Sequence, residues 1–215
     1  MILTPPLWSD RHEAGQALAK RFDVQDHPAD SPLLLALPRG GVPVAAAMAQ
    51  RLGWPLATWS VRKVADPSWP ELALGASAAG GVVVWREDPS PTTREAQARR
   101  QGWLEREKRE RRRRQTLFRD PNPESLHNRH LVVVDDGIAT GMTARAALVS
   151  LRRCQPASLC LAVPVVDQAV ARELQPLVDR LEALAVVPCL RAVGLWYDDF
   201  EPLTDQRVLA LLRRP

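Results

Sequence analysis

The chain has 215 residues, 46% of them hydrophobic and 25% charged, with a net charge of +4. That is the size and balance of one globular core, not of a fibrous, disordered or membrane-spanning chain. No apolar run approaches the roughly 18–20 residues of a membrane span. The start, MILTPPLWSDRHEAG, lacks the basic and apolar regions of a signal peptide, and Cys154, Cys160 and Cys189 show no CxxC spacing and read as reduced thiols. A soluble cytoplasmic protein is expected.

Taken in order, residues 10–22 (DRHEAGQALAKRF) predict a helix, with Asp10 and Glu13 placed as a capping box. LLLAL (33–37) predicts a buried strand ending in the tight turn PRGG (38–41). VPVAAAMAQRLG (42–53) predicts a helix with Gly53 at its C-cap, and PLATWSVRKV (55–64) a second strand. The pattern then breaks into Pro, Ser, Gly and Ala over 65–85, closing on a strand or hairpin arm, GGVVVW. Residues 92–117 predict one long polar helix. After it come a strand at 131–136, a helix at 143–154, a strand at 158–166 and a helix at 167–179 interrupted by Pro176. A strand at 185–190, the segment VGLWYDDF and a last helix complete the chain. Helices alternating with continuous apolar strands point to an α/β fold with a mostly parallel, twisted sheet flanked by helices. No internal repeat and no clear linker is visible.

The chemistry concentrates in VVVDDGIATGMT (132–143), where a buried strand ends on Asp135 and Asp136 and a small-residue loop leads into a helix. In an open α/β sheet, ligands bind beyond the carboxyl ends of the strands. A helix entrance with free N–H groups favours an anion, Gly141 allows close backbone approach, and the hydroxyls of Thr140 and Thr143 can join a phosphate. The two carboxylates repel a phosphate and suit sugar hydroxyls instead, directly or through hydrated Mg²⁺. The alternative for the bare acid pair is a strand end with a helix cap.

The twelve-residue string resembles the phosphoribosyl diphosphate (PRPP) motif of type I phosphoribosyltransferases. The resemblance implies that Asp135 and Asp136 hold the ribose hydroxyls and that Ala139, Thr140, Gly141, Met142 and Thr143 wrap the 5′-phosphate; Met142 departs from the family's usual Gly or Ala. PRGG is similar to the family's diphosphate loop, with its often cis non-proline bond, which gives Arg39, Gly40 and Gly41 to the leaving group. Arg62 and Lys63 look like the family's basic pair. Together Arg39, Lys63, Asp135 and Asp136 are the implied catalytic set, acting on an oxocarbenium-like ribose with Mg²⁺ as cofactor. Residues 65–81 lie where the family carries a flexible loop, in which Glu71 is a candidate acid–base residue or a plain exposed side chain. AVGLWYDDF is similar to the hood of purine phosphoribosyltransferases, giving Trp196 or Tyr197 a stacking role on the acceptor and Asp198 or Asp199 its hydrogen bonds. Hypoxanthine-guanine enzymes carry an acid at the position of Ala139, which speaks against that assignment and leaves the acceptor open.

The string DRHEAG…LPRGGVPVA…VRKV…PELALGA…VDDGIATGMT…AVGLWYDDF resembles a bacterial phosphoribosyltransferase group over nearly the whole chain. One domain is expected: a core at about 10–64 and 128–190, an insertion at about 65–120 and a hood at about 191–215. PRPP and a nucleobase-like small molecule are the expected partners, in a homodimer of purine salvage or nucleotide metabolism. A second reading rests on the arginine run over 94–119, outside which the chain is near neutral or acidic. With Arg106, Arg109, Arg111, Arg112, Arg113 and Arg114 on nucleic acid, the chain would be a PRPP-sensing regulator without turnover. Interleaved Glu105, Glu107 and Glu110 favour a solvated or substrate-covering helix instead, anchored by Trp103 and Phe118. The other tryptophans read as packing, except Trp69 in the expected mobile loop, and the four histidines show no metal-ligand spacing.

Overall fold

The computed structural model describes residues 5–22, 31–69, 73–87 and 91–213. Along the chain run α1 (Arg11–Ala19), β1 (Leu33–Ala36), α2 (Gly41–Leu52), β2 (Leu56–Thr58), β3 (Arg62–Ala65), β4 (Ala73–Ser77), β5 (Val83–Trp85) and α3 (Pro91–Arg100). α4 (Trp103–Phe118), β6 (His130–Val134), α5 (Met142–Arg152), β7 (Ser158–Asp167), α6 (Gln168–Leu174), β8 (Arg180–Val187) and α7 (Asp205–Leu212) follow.

The apolar runs pair in one parallel sheet of order β2-β1-β6-β7-β8. Successive strand residues face opposite sides, and here both sides are covered. Leu33, Leu35, Leu131, Val133, Leu159 and Leu161 pack with α5 on one face; Leu34, Ala36, Val132, Val134 and Ala162 pack with α1, α2 and α7 on the other. Double burial is why these strands read as unbroken hydrophobic runs. The chain leaves β1 through α2 toward β2, but leaves β6 through α5 toward β7, in the opposite direction. The strand order therefore reverses between β1 and β6, where an α/β sheet opens its crevice. Ala36 pairs with Val134, so the loops that follow the two strands start side by side.

Four expectations need correction. Residues 55–64 form two strands in two sheets: β2 borders the parallel sheet, while β3 starts an antiparallel sheet of order β3-β4-β5. The buried carboxylate of Asp120 pins the turn between them, accepting from Thr58 Oγ1 and Ser60 N, both at 2.6 Å. The long polar helix is broken by Gly102, whose φ of 70° lies in the left-handed region. The last strand starts at Arg180, because its polar first half pairs with the start of β7, Cys160 opposite Arg180. The capping box is half formed: Asp10 accepts from Glu13 N at 2.8 Å, but the Glu13 carboxylate reaches back to Ser9 N and Oγ.

Candidate functional site

At the switch point the β1 and β6 loops interlock. Leu37 N donates to the Val134 carbonyl at 2.8 Å, which draws PRGG against the acid pair. A Cβ on Gly41 would stand 2.3 Å from the Val134 carbonyl oxygen, and one on Gly40 would stand 2.1 Å from Asp136 Oδ2. No side chain fits at either position. The Pro38–Arg39 peptide bond is cis. The two glycines thus carry bare backbone to the carboxylates, within one crevice.

Burial, and then the neighbouring Asp136, push the Asp135 carboxyl well above its ordinary range. Burial also raises Asp136, but Arg11 opposes it. Arg11 Nε donates to Asp136 Oδ2 at 2.8 Å, and the two side chains are only 11% and 13% exposed. The same guanidinium lies 3.6 Å above the Phe200 ring, and its Nη1 donates to the Glu201 carbonyl at 3.1 Å. Arg11 therefore ties the first helix, the second acid and the C-terminal segment together. The sequence reading gave Arg11 no role. It stands 125 residues from Asp136 in a helix-forming stretch, and spacing cannot signal such a pairing.

The hood aromatics support the site from beneath. Tyr197 Oη donates to the Asp136 carbonyl at 2.5 Å, and its ring stacks on Phe200 with Trp8 tilted against it. Trp196 and Tyr197 are both buried, so neither ring offers a face to an acceptor in this structure. Asp198 and Asp199 are exposed, beside the exposed Leu195.

The phosphate-type loop is built as its small residues require. Ile138 joins β7 through a hydrogen bond from its N to the Val165 carbonyl and one from Asp167 N to its own carbonyl. Ala139 packs with the hood cluster, and Gly141 takes a φ of 71° at the N-cap of α5 without any side-chain cap. The first N–H groups of α5 are therefore open to an anion. Thr140, Gly141, Met142 and Arg145 line a cavity of about 590 Å³, opposite Trp85 and Arg86. Thr143 is half-buried in the first turn of α5.

The expected basic pair diverges. Arg62 turns to α4, where it meets Glu107 Oε2 at 2.7 Å; Lys63, next on the strand, faces the other side. Arg39 is 40% exposed and makes one long ion pair, 3.8 Å to Asp205. Of the six arginines of α4, Arg111 and Arg114 are buried with Glu107, and Arg113 is paired with Glu110 and Asp205. Arg106, Arg109, Arg112 and Arg113 are exposed, with Arg106 also paired to Glu107 at 3.2 Å, so part of the charge a nucleic acid would meet is already matched within the protein. Phe118 anchors α4, joined by Leu104, which is fully buried with Ala98 and Val64 while Trp103 packs at the edge. Trp69 is 70% exposed. Glu71 lies outside the described residues. Among the described residues no three His, Cys, Asp or Glu side chains converge as a metal cage, and no helix is long and apolar enough to cross a membrane.

The chain matches the family model of the phosphoribosyl transferase domain over residues 12–182. Two Mycobacterium tuberculosis proteins, from strains CDC 1551 and H37Rv and provisionally named phosphoribosyl transferases, are each 37% identical over 214 residues. The match covers 97% of this chain and 47% of each relative, so the chain spans about half their length. The crystal structure of TT1426 from Thermus thermophilus is similar at 35% identity and a TM-score of 0.70, covering 95% of this chain and 97% of that one. That coverage is wider than the matched family segment. The chain belongs to the phosphoribosyl transferase domain family.

Proposed function

We propose that the protein is an enzyme that takes PRPP with Mg²⁺ and transfers its 5-phosphoribosyl group to a nitrogen of a nucleobase-like acceptor, releasing diphosphate. The observation that carries the reading is the crevice itself. Gly40 and Gly41 lie against Asp135 and Asp136 where the strand order reverses, one loop away from the uncapped entrance of α5.

The residues divide the donor among them. Ala139 to Thr143 receive the 5′-phosphate on backbone N–H groups and the threonine hydroxyls. The acid pair receives the ribose hydroxyls. Arg39, Gly40 and Gly41 receive the diphosphate, with Arg62 or Lys63, which face opposite sides of β3, adding positive charge. The acceptor nitrogen attacks C1 as the bond from C1 to the diphosphate oxygen breaks, and the acceptor loses its proton. Positive charge develops on the ribose over the two carboxylates while negative charge leaves toward the arginines, so the chain contributes positioning and charge placement. Two adjacent carboxylates suit a hard divalent cation only as part of a shell completed by donor oxygens and water, and Mg²⁺ would supply charge neutralisation on the departing diphosphate.

Trp196 and Tyr197 form the hood's floor, which leaves Asp198 and Asp199 to read the acceptor. Ala139 in place of an acid points away from a hypoxanthine-guanine specificity. A cytoplasmic homodimer in purine salvage completes the proposal. The test is diphosphate release from Mg²⁺-PRPP across a panel of nucleobases, with release expected for at least one base. No release with any of them, together with tight salt-sensitive binding of RNA or DNA, would overturn the enzyme reading in favour of a regulator.

A further inference from the structure

Asp136 is held at two points, and both holds rest on one ring. Arg11 Nε donates to its carboxylate at 2.8 Å, and Tyr197 Oη donates to its backbone carbonyl at 2.5 Å. The Arg11 guanidinium lies 3.6 Å from the centre of the Phe200 ring. The Tyr197 ring stacks on the same Phe200, with centroids 5.2 Å apart and planes 29° from parallel. Asp136, Arg11, Phe200 and Tyr197 thus close a ring of contacts. Phe200 is itself seated on the hood turn Val193–Trp196, where a Cβ on Gly194 would stand 2.8 Å from its Cδ1. The bare backbone of Gly40 abuts the same carboxylate of Asp136.

Phe200 matters because of the atom that Arg11 uses. An arginine side chain loses much rotamer freedom when it is fixed. Nε lies in the guanidinium plane, so whatever sets that plane sets the direction of its bond to Asp136. Two contacts set it: the Phe200 face, which attracts a flat cation, and the Glu201 carbonyl, which accepts from Nη1 at 3.1 Å. A carboxylate offers about four acceptor sites. The contact with Arg11 therefore fixes where the Asp136 oxygens lie and still leaves sites for hydroxyl donors.

We infer that Arg11 and Phe200 act in series as one positioning unit: Phe200 orients the Arg11 guanidinium, and Arg11 holds the Asp136 carboxylate in place for the ribose hydroxyls. The inference deepens the transferase reading and rests on its assignment of the donor's ribose to the acid pair. It gives the first helix and the C-terminal segment a part in donor binding, although the acid pair stands far from both in the sequence. Both residues act through Asp136, and neither is assigned a contact with the ligand.

Calorimetric titrations with ribose 5-phosphate and with tetrahydrofurfuryl phosphate, the same ring and phosphate without the hydroxyls, test it. The wild type should prefer ribose 5-phosphate about 10-fold or more, as expected for hydroxyls bonded to a charged acceptor. Phe200→Leu should cut that preference about threefold, the loss of one cation–π contact, and leave tetrahydrofurfuryl phosphate unchanged. Arg11→Met should cut it further, and the double variant should match Arg11→Met because the two residues act in series. If Arg11→Met does not fold, the Phe200→Leu ratio decides alone. An unchanged preference in Phe200→Leu, equal weakening of both ligands, or losses that multiply in the double variant would overturn the unit. A preference that depends on Phe200 without any diphosphate release from PRPP would uphold the unit and remove the transferase reading. Release from PRPP with a preference indifferent to Phe200 would do the reverse.

Discussion

The loop that closes β6 and the helix α4 both bury charge, and they settle it differently. Asp135 and Asp136 sit together with one cation, Arg11, on the second acid. On α4, Glu107, Arg111 and Arg114 are buried among several partners, and Glu107 and Glu110 are each shared by two arginines. The first region carries negative charge short of cations, and the second carries positive charge short of carboxylates. The two regions are thus unbalanced in opposite senses. The exposed pair of Asp179 with Arg152 shows no such deficit, its carboxylate also accepting from Leu159 N.

The comparison breaks most severely at Arg11. Arg11→Met leaves the Asp136 carboxylate buried beside Asp135 without a cation, a change that costs about 3–5 kcal/mol for a buried pair. Chemical denaturation should show it, and the Tyr197–Phe200 support of the hood should loosen with it. Unaltered stability would mean that Asp136 does not depend on Arg11.

Asp120 offers a titration beside α4. Burial raises it to about 6 despite the opposing hydrogen bonds from Thr58 and Ser60. A folded-state pKa above the unfolded value of about 3.8 makes its contribution fully present below pH 4 and lost as the pH rises through 6. Relative to Asp120→Asn, the wild type should therefore lose up to about 3 kcal/mol between pH 4 and pH 7. Parallel stability curves for the two proteins would refute the assignment.

Gly41→Ala tests the interlock of the two loops. Its Cβ would meet the carbonyl of Val134 and the Cα of Asp135, backbone that cannot swing away, so overpacking should cost about 1–3 kcal/mol. The smallest effect belongs to Arg112→Ala on the exposed side of α4, expected within about 0.5 kcal/mol of wild type. A larger loss there would show that the outward arginines are structural too.

How much of this was legible in the sequence follows from how local each feature is. VVVDDGIATGMT states its strand, acids and helix entrance in twelve consecutive letters, and PRGG states its turn in four. The parallel sheet was legible because burial on both faces leaves continuous apolar runs. The helix of α4 was legible too, but its buried face was not, because its inward positions hold Glu107, Arg111 and Arg114 where a pattern search looks for Leu or Val. Only Leu104 and Phe118 mark the stripe, fourteen residues apart. The two-sheet division at Ser60 depends on Asp120, sixty residues away, and the clamp on Asp136 depends on Arg11, farther still. Trp196 and Tyr197 show the limit of type without place. Aromatics at the right point of a motif signal stacking, but Tyr197 has the protein's own Phe200 and backbone as partners, and Trp196 is buried beside it.

The central claim, that the acid pair holds a phosphoribosyl donor, is tested most directly by calorimetric titration of Mg²⁺-PRPP into the wild type and into the double variant Asp135→Asn with Asp136→Asn. Measurable binding to the wild type and none to the double variant is the predicted result, with circular dichroism showing both folded. Equal PRPP affinity in the two proteins would contradict it.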